Sequence, residues 1–134
     1  MTLTSPTLLS ADDRFGHDWD RCKRYIEDAL EYAGGSHSID DVRDFVLAGK
    51  AQFHPLPISC IITEIVDYPQ KSMCRIWLAG GNLEELMQAE KSIAHWAKSI
   101  GCDGMEIVGR KGWSRQLKDY RESAVVLMKD FENE

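Results

Sequence analysis

At 134 residues, with 43% hydrophobic and 28% charged side chains, the chain has the size and composition of one globular domain with a core of its own. A net charge of −6 argues against a surface that tracks nucleic-acid phosphates, because that affinity comes from Lys and Arg. No apolar run approaches the roughly 20 residues that span a bilayer, and Met1 to Ser10, without Lys or Arg, lacks the pattern of a signal peptide.

Residues 1–16 read as a polar N-terminal arm, with Pro6 and a short first strand around Leu8-Leu9 as the alternative. From His17 the apolar positions Cys22, Ile26, Ala29, Leu30 and Ala33 repeat at helical spacing until Gly34-Gly35. Ser38 is placed to cap a second helix, Ile39 to Ala48, with Asp41 at the capping-box position and Gly49 as its stop. Ala51 to Leu56 is a short strand that Pro55 and Pro57 confine to an edge. Ser59 to Val66 and Ser72 to Leu78 are two β-rich runs around Asp67-Tyr68-Pro69-Gln70-Lys71, which predicts a hairpin.

At Asn82 the period changes. Leu83, Leu86, Met87, Glu90, Ile93, Ala94, Ala97 and Ile100 share one stripe, Asn82 with Glu85 has capping-box spacing, and Gly101 is placed as the C′ glycine. Met105 to Gly109 is a strand following that helix, which predicts a parallel crossover. A short helix from Trp113 to Tyr120 and a β-branched closing strand from Ser123 to Lys129 complete the domain, 17–131, before the acidic tail 132–134. The fold class is α/β (α+β), a mixed central sheet with helices on both faces.

Cys22, Cys60, Cys74 and Cys102 are spread singly, which suits reduced, buried thiols; a hairpin turning near Pro69 sets Cys60 and Cys74 about three residues out of register. His17, His37, His54 and His95 lack H-x-x-x-H spacing and a nearby Cys pair, so no metal site is expected.

The order of elements, with a hairpin strand feeding a turn and a long helix, resembles the Gcn5-related N-acetyltransferase fold. The resemblance sharpens at Ala29 to His37, at Ile76 to Leu86 and at Gly101 to Trp113. These stretches look like a family of small proteins encoded by tailed phages and prophages that carries this fold. The resemblance implies a cytoplasmic location in the infected cell, or the virion, and a protein partner among virion components or host proteins. In acetyltransferases of the fold, the turn Arg/Gln-x-x-Gly-x-Gly/Ala holds the coenzyme A pyrophosphate on backbone N–H groups. Here Leu78-Ala79-Gly80-Gly81-Asn82 has no leading Arg or Gln and is shorter, and Glu84 and Glu85 suit the helix dipole but not a phosphate.

Gly80, Gly81 and Asn82 are therefore the cofactor-binding candidates if acetyl-coenzyme A binds, and the expectation is that no cofactor does. For catalysis, Glu64 in the hairpin is a candidate base, and Tyr120 is placed near where the fold supplies a tyrosine acid. Gly109 to Arg115 sets a cationic pair beside a Trp between two glycines, so Arg110, Lys111, Trp113 and Arg115 are the candidate partner-binding residues. Two functions follow: a non-catalytic structural or protein-interaction component, or an acetyl-coenzyme A-dependent N-acetyltransferase with a degenerate phosphate loop.

Overall fold

The computed structural model describes residues 11–109 and 112–132. Helix α1 (Ala11–Leu30) buries Trp19, Cys22, Ile26 and Leu30, spaced three and four apart along one stripe. It is already helical at Ala11, the first described residue and six before the expected His17, so the part of the expected arm from Ala11 onward is helical and the rest lies outside the described residues. Phe15 explains the difference. Its ring stacks on Trp19 at 5.7 Å and meets Phe53 at 5.4 Å, and that burial offsets the roughly 1 kcal/mol that Gly16 costs inside a helix.

Helix α2 (Ile39–Leu47) has the expected cap: the Asp41 N–H donates to Ser38 Oγ at 3.2 Å and the Ser38 N–H to Asp41 Oδ2 at 2.8 Å. These bonds favour the charged carboxylate and hold the Asp41 pKa below its ordinary value. Strands β1 (Gln52–Leu56), β2 (Ser59–Tyr68) and β3 (Lys71–Gly81) form an antiparallel meander, and β2 turns into β3 through Pro69-Gln70 alone.

Helix α3 (Leu83–Ser99) ends as the sequence suggests, with Gly101 at φ +98. The Gly101 and Cys102 N–H groups close back on the Lys98 and Ala97 carbonyls at 3.1 and 3.0 Å, the paired bonds of a Schellman cap. Strand β4 (Gly104–Ile107) then pairs parallel to β3, so the crossover is present and the sheet order is β1-β2-β3-β4.

The last part departs from expectation. Helix α4 covers Gly112–Gln116 rather than Trp113 to Tyr120, and no closing strand forms at 123–129. Val125, Leu127 and Met128 are 81%, 89% and 80% exposed. A β-branched run becomes a strand only where an edge is offered to it, and among the described residues no strand lies beside this one.

The sheet packs helices on both faces. α1 and α2 cover Cys60, Ile62 and Leu78, while α3 and α4 cover Ile61, Cys74 and Ile76. Ile76 and Leu78 would share a face in a regular strand. Their separation comes from a register shift: Thr63 pairs with Ile76 and Ile62 with Leu78, leaving Trp77 as an extra residue on β3. The bulge sends Trp77 toward α2, against His37 and Phe45.

Candidate functional site

The strand-to-helix junction is built without a loop. Gly80 and Gly81 belong to β3, Asn82 is the N-cap, and α3 begins at Leu83. Both glycines are explained by close approach. A Cβ on Gly80 would lie 2.5 Å from the Tyr25 carbonyl oxygen of α1, and one on Gly81, at φ +120, 2.5 Å from the Ile58 carbonyl oxygen. The β1–β2 turn thus sits on the end of α3.

That turn and the cap take up two of the N–H groups a phosphate could use. The Asn82 N–H donates to Ser59 Oγ at 3.0 Å, and the Glu85 N–H to Asn82 Oδ1 at 2.9 Å. The capping box expected at Asn82 and Glu85 is only half formed, because Glu85 Oε1 accepts from the Ile58 N–H at 2.9 Å instead of from Asn82. The Glu85 carboxylate therefore holds the β1–β2 turn over the helix end, where the dipole also favours it.

Between β3 and β4 the sheet meets α3 and α4. Ile61, Ile76, Leu86, Ile107, Trp113 and Leu117 close around a cavity of about 10 Å³, room for no more than about one water. At its side Tyr120 donates to Glu90 Oε2 at 2.7 Å, and Glu90 is 7% exposed. Burial first, and then the Glu90 contact, push the Tyr120 hydroxyl well above its ordinary pKa, so it stays protonated. The sequence placed Glu90 on the apolar stripe of its helix; its partner lies 30 residues away and had no local signal.

Glu64, the candidate base, stands on β2 opposite Arg75. Arg75 reaches Glu64 Oε1 at 3.3 Å and Glu106 Oε2 at 3.1 Å, and Tyr68 also donates to Glu106, so Glu64 belongs to a half-exposed charge network. Trp113 is half-buried in the α3-side core, with its Cδ1 3.2 Å from where a Gly109 Cβ would stand. Arg115 is exposed on α4, and Arg110 and Lys111 lie outside the described residues. The four cysteines are free thiols, and burial raises the Cys74 thiol to about 11. Cys74 pairs with Ile65, five residues from Cys60 rather than the expected three or so, because the strands turn through Pro69-Gln70 alone. No group of three or more metal-ligating side chains occurs among the described residues, and no described helix is long and apolar enough to cross a membrane.

A mixed four-stranded sheet, antiparallel through β3 and parallel at β4, with a long helix leaving β3, defines an acetyltransferase-like fold. Solved structures agree at that level. TTHA1254 of Thermus thermophilus, in its wild-type and a single-substitution form, matches with a TM-score of 0.59 and 17% identity, over 88% of this chain and 93% of that one. A possible acetyltransferase from Clostridium difficile matches with a TM-score of 0.57 and 15% identity, over 87% of this chain and 93% of that one. No family model matches the chain, and no curated protein sequence matches it. The likeness is one of fold.

Proposed function

We propose that this chain is a non-catalytic protein-interaction component on an acetyltransferase-like scaffold. A fold does not carry an activity by itself; the site must. The observation that supports the reading is the closed junction. The β1–β2 turn, through Ile58 and Ser59, occupies the ground beside Gly81 and Asn82, and the neighbouring cleft is filled by Trp113 and Leu117. The resemblance to small phage-encoded proteins makes a structural or virion-associated role in a tailed phage the setting of this proposal, with a virion component or a host protein as partner.

The proposed partner surface is Arg110 to Arg115. On a chain of net charge −6, the segment Arg110 to Arg121 holds Arg110, Lys111, Arg115, Lys118 and Arg121 against Asp119, a local positive field that steers an acidic partner. Changing Arg110 and Lys111 to Glu is expected to leave the melting temperature nearly unchanged and to weaken partner capture at low salt. Normal capture by that variant refutes the surface.

The rival reading, an acetyl-coenzyme A-dependent N-acetyltransferase, is favoured by one observation: Tyr120 holds its proton beside the β3–β4 cleft. Thermal unfolding separates the two. A ligand at about 100 times its dissociation constant adds roughly 2.7 kcal/mol to the state that it binds. Coenzyme A is expected to leave the melting temperature unchanged, and a shift of several degrees supports the rival.

A further inference from the structure

The two edges of the sheet are treated differently. The β1 edge carries Pro55, and Arg21 covers its end by donating to the Leu56 carbonyl at 3.3 and 3.4 Å. Those are the means by which proteins blunt an edge strand. The β4 edge, Gly104-Met-Glu-Ile107, has no proline and no lysine, and among the described residues it pairs with β3 alone. Just past it Val108 is 59% exposed.

The same chain holds a strand without an edge. Leu117 is buried and Tyr120 is tied to Glu90, so the chain leaves the body at a fixed point. From Arg121 to Glu132 every residue is exposed, and none pairs with a strand. Ala124-Val-Val-Leu-Met128 is apolar at consecutive positions, so both faces of such a strand would be apolar, the pattern of a strand covered on both sides. Val125, Val126, Leu127, Met128 and Phe131 are all exposed, at 63–89% of their surface, although large apolar side chains are ordinarily covered.

We propose that the 123–131 segment of one copy adds as a strand to the β4 edge of a second copy, giving a two-fold dimer by reciprocal strand exchange. Reciprocity closes the assembly: each copy has one such strand and one such open edge, so the exchange satisfies both copies and leaves no end to propagate. Arg121, Glu122 and Ser123 are the hinge. This arrangement also accounts for why a run with strong strand preference leaves its own body.

The test uses the full chain. Light scattering coupled to gel filtration is expected to give twice the 15.2 kDa of one chain. The V126E/L127E variant is expected to give the mass of one chain with the helical circular-dichroism signal unchanged, since both side chains are exposed on the body of one copy. The milder V126S/L127S pair, expected to dissociate at low concentration, carries the test if the glutamates prevent folding. In hydrogen exchange, the β4 amides that point away from β3 should be slow in the wild type and at least tenfold faster in the variant. A wild-type monomer, a variant that remains dimeric, or equal β4 protection in both overturns the proposal.

Discussion

The two faces of the sheet are sealed by different means. On the α1 face the seal is backbone on backbone: α1 approaches β3 so closely at Tyr25 that Gly80 has no room for a Cβ, and Trp19, Cys22, Ile26 and Leu30 lie flush against Cys60, Ile62 and Leu78. On the α3 face the seal is side chain on side chain, with Glu90 bonded to Tyr120, His54 bonded to Thr63 and a small cavity between. The first arrangement leaves nothing to adjust. The second contains buried groups that titrate or depend on one partner, and it continues through α4 into the exposed C-terminal run.

The comparison predicts unequal responses to mutation. Gly81→Ala is expected to be the most damaging, because the new methyl meets the Ile58 carbonyl in a backbone region that L-residues resist. Strain and overpacking together should remove about 3 kcal/mol or more in urea denaturation. A loss below about 1 kcal/mol, the size of an ordinary surface change, would mean that the β1–β2 turn is not seated on the helix end.

Acid should act through the other face. Burial lowers the His54 pKa from 6.5 to about 4. The hydroxyl of Thr63 donates to Gln52 Oε1, so the 2.8 Å contact from His54 Nε2 to Thr63 Oγ1 is a donation by the neutral ring. The folded pKa lies below the unfolded one, so the unfolded chain binds the proton more tightly. The stabilisation is whole above about pH 6.5 and is lost as the pH falls to about 4, a change of roughly 3 kcal/mol. His54→Gln should flatten that part of the stability profile; an unchanged slope would assign the acid sensitivity elsewhere.

Tyr120→Phe comes next, at about 1–3 kcal/mol, because it leaves the buried Glu90 without its donor. The double change with Glu90→Gln should recover part of that loss, and strict additivity would show that the two do not act together. The smallest effect is expected from Gly104→Ala, under about 1 kcal/mol. Its Cβ would meet only the flexible end of Met73 at 3.0 Å, in contrast to the backbone atoms facing Gly80 and Gly81.

Where the signal was local, the sequence was legible. The hairpin, the two caps, the Schellman glycine and the crossover all rest on periodicity or on residues a few positions apart, and they appear where the pattern put them. Non-local causes were hidden. Gly80-Gly81 reads as a turn, yet it is strand, because the atoms that demand glycine belong to Tyr25 and Ile58. The bulge at Trp77 reverses the facing of β3 in a run read only as β-rich, with nothing local to mark the shift. The helix expected from His17 already covers Ala11 to Gly16, where Phe53, far along the chain, supplies a partner for Phe15. Of the candidate site residues, Glu64 falls in the Arg75 network, Trp113 in the core, and Tyr120 beside a Glu90 that only the fold could bring to it.

Calorimetric titration with acetyl-coenzyme A tests the central claim most directly, because the claim is that the end of α3 is closed by the protein itself. No binding in the micromolar range is predicted, for the wild type and equally for Ser59→Ala, which removes one acceptor of the Asn82 N–H but leaves the Ile58 carbonyl as its other acceptor and Glu85 in place. A one-to-one micromolar isotherm with the wild type, with the Gly80, Gly81 and Asn82 amides as the resonances that move, would contradict it.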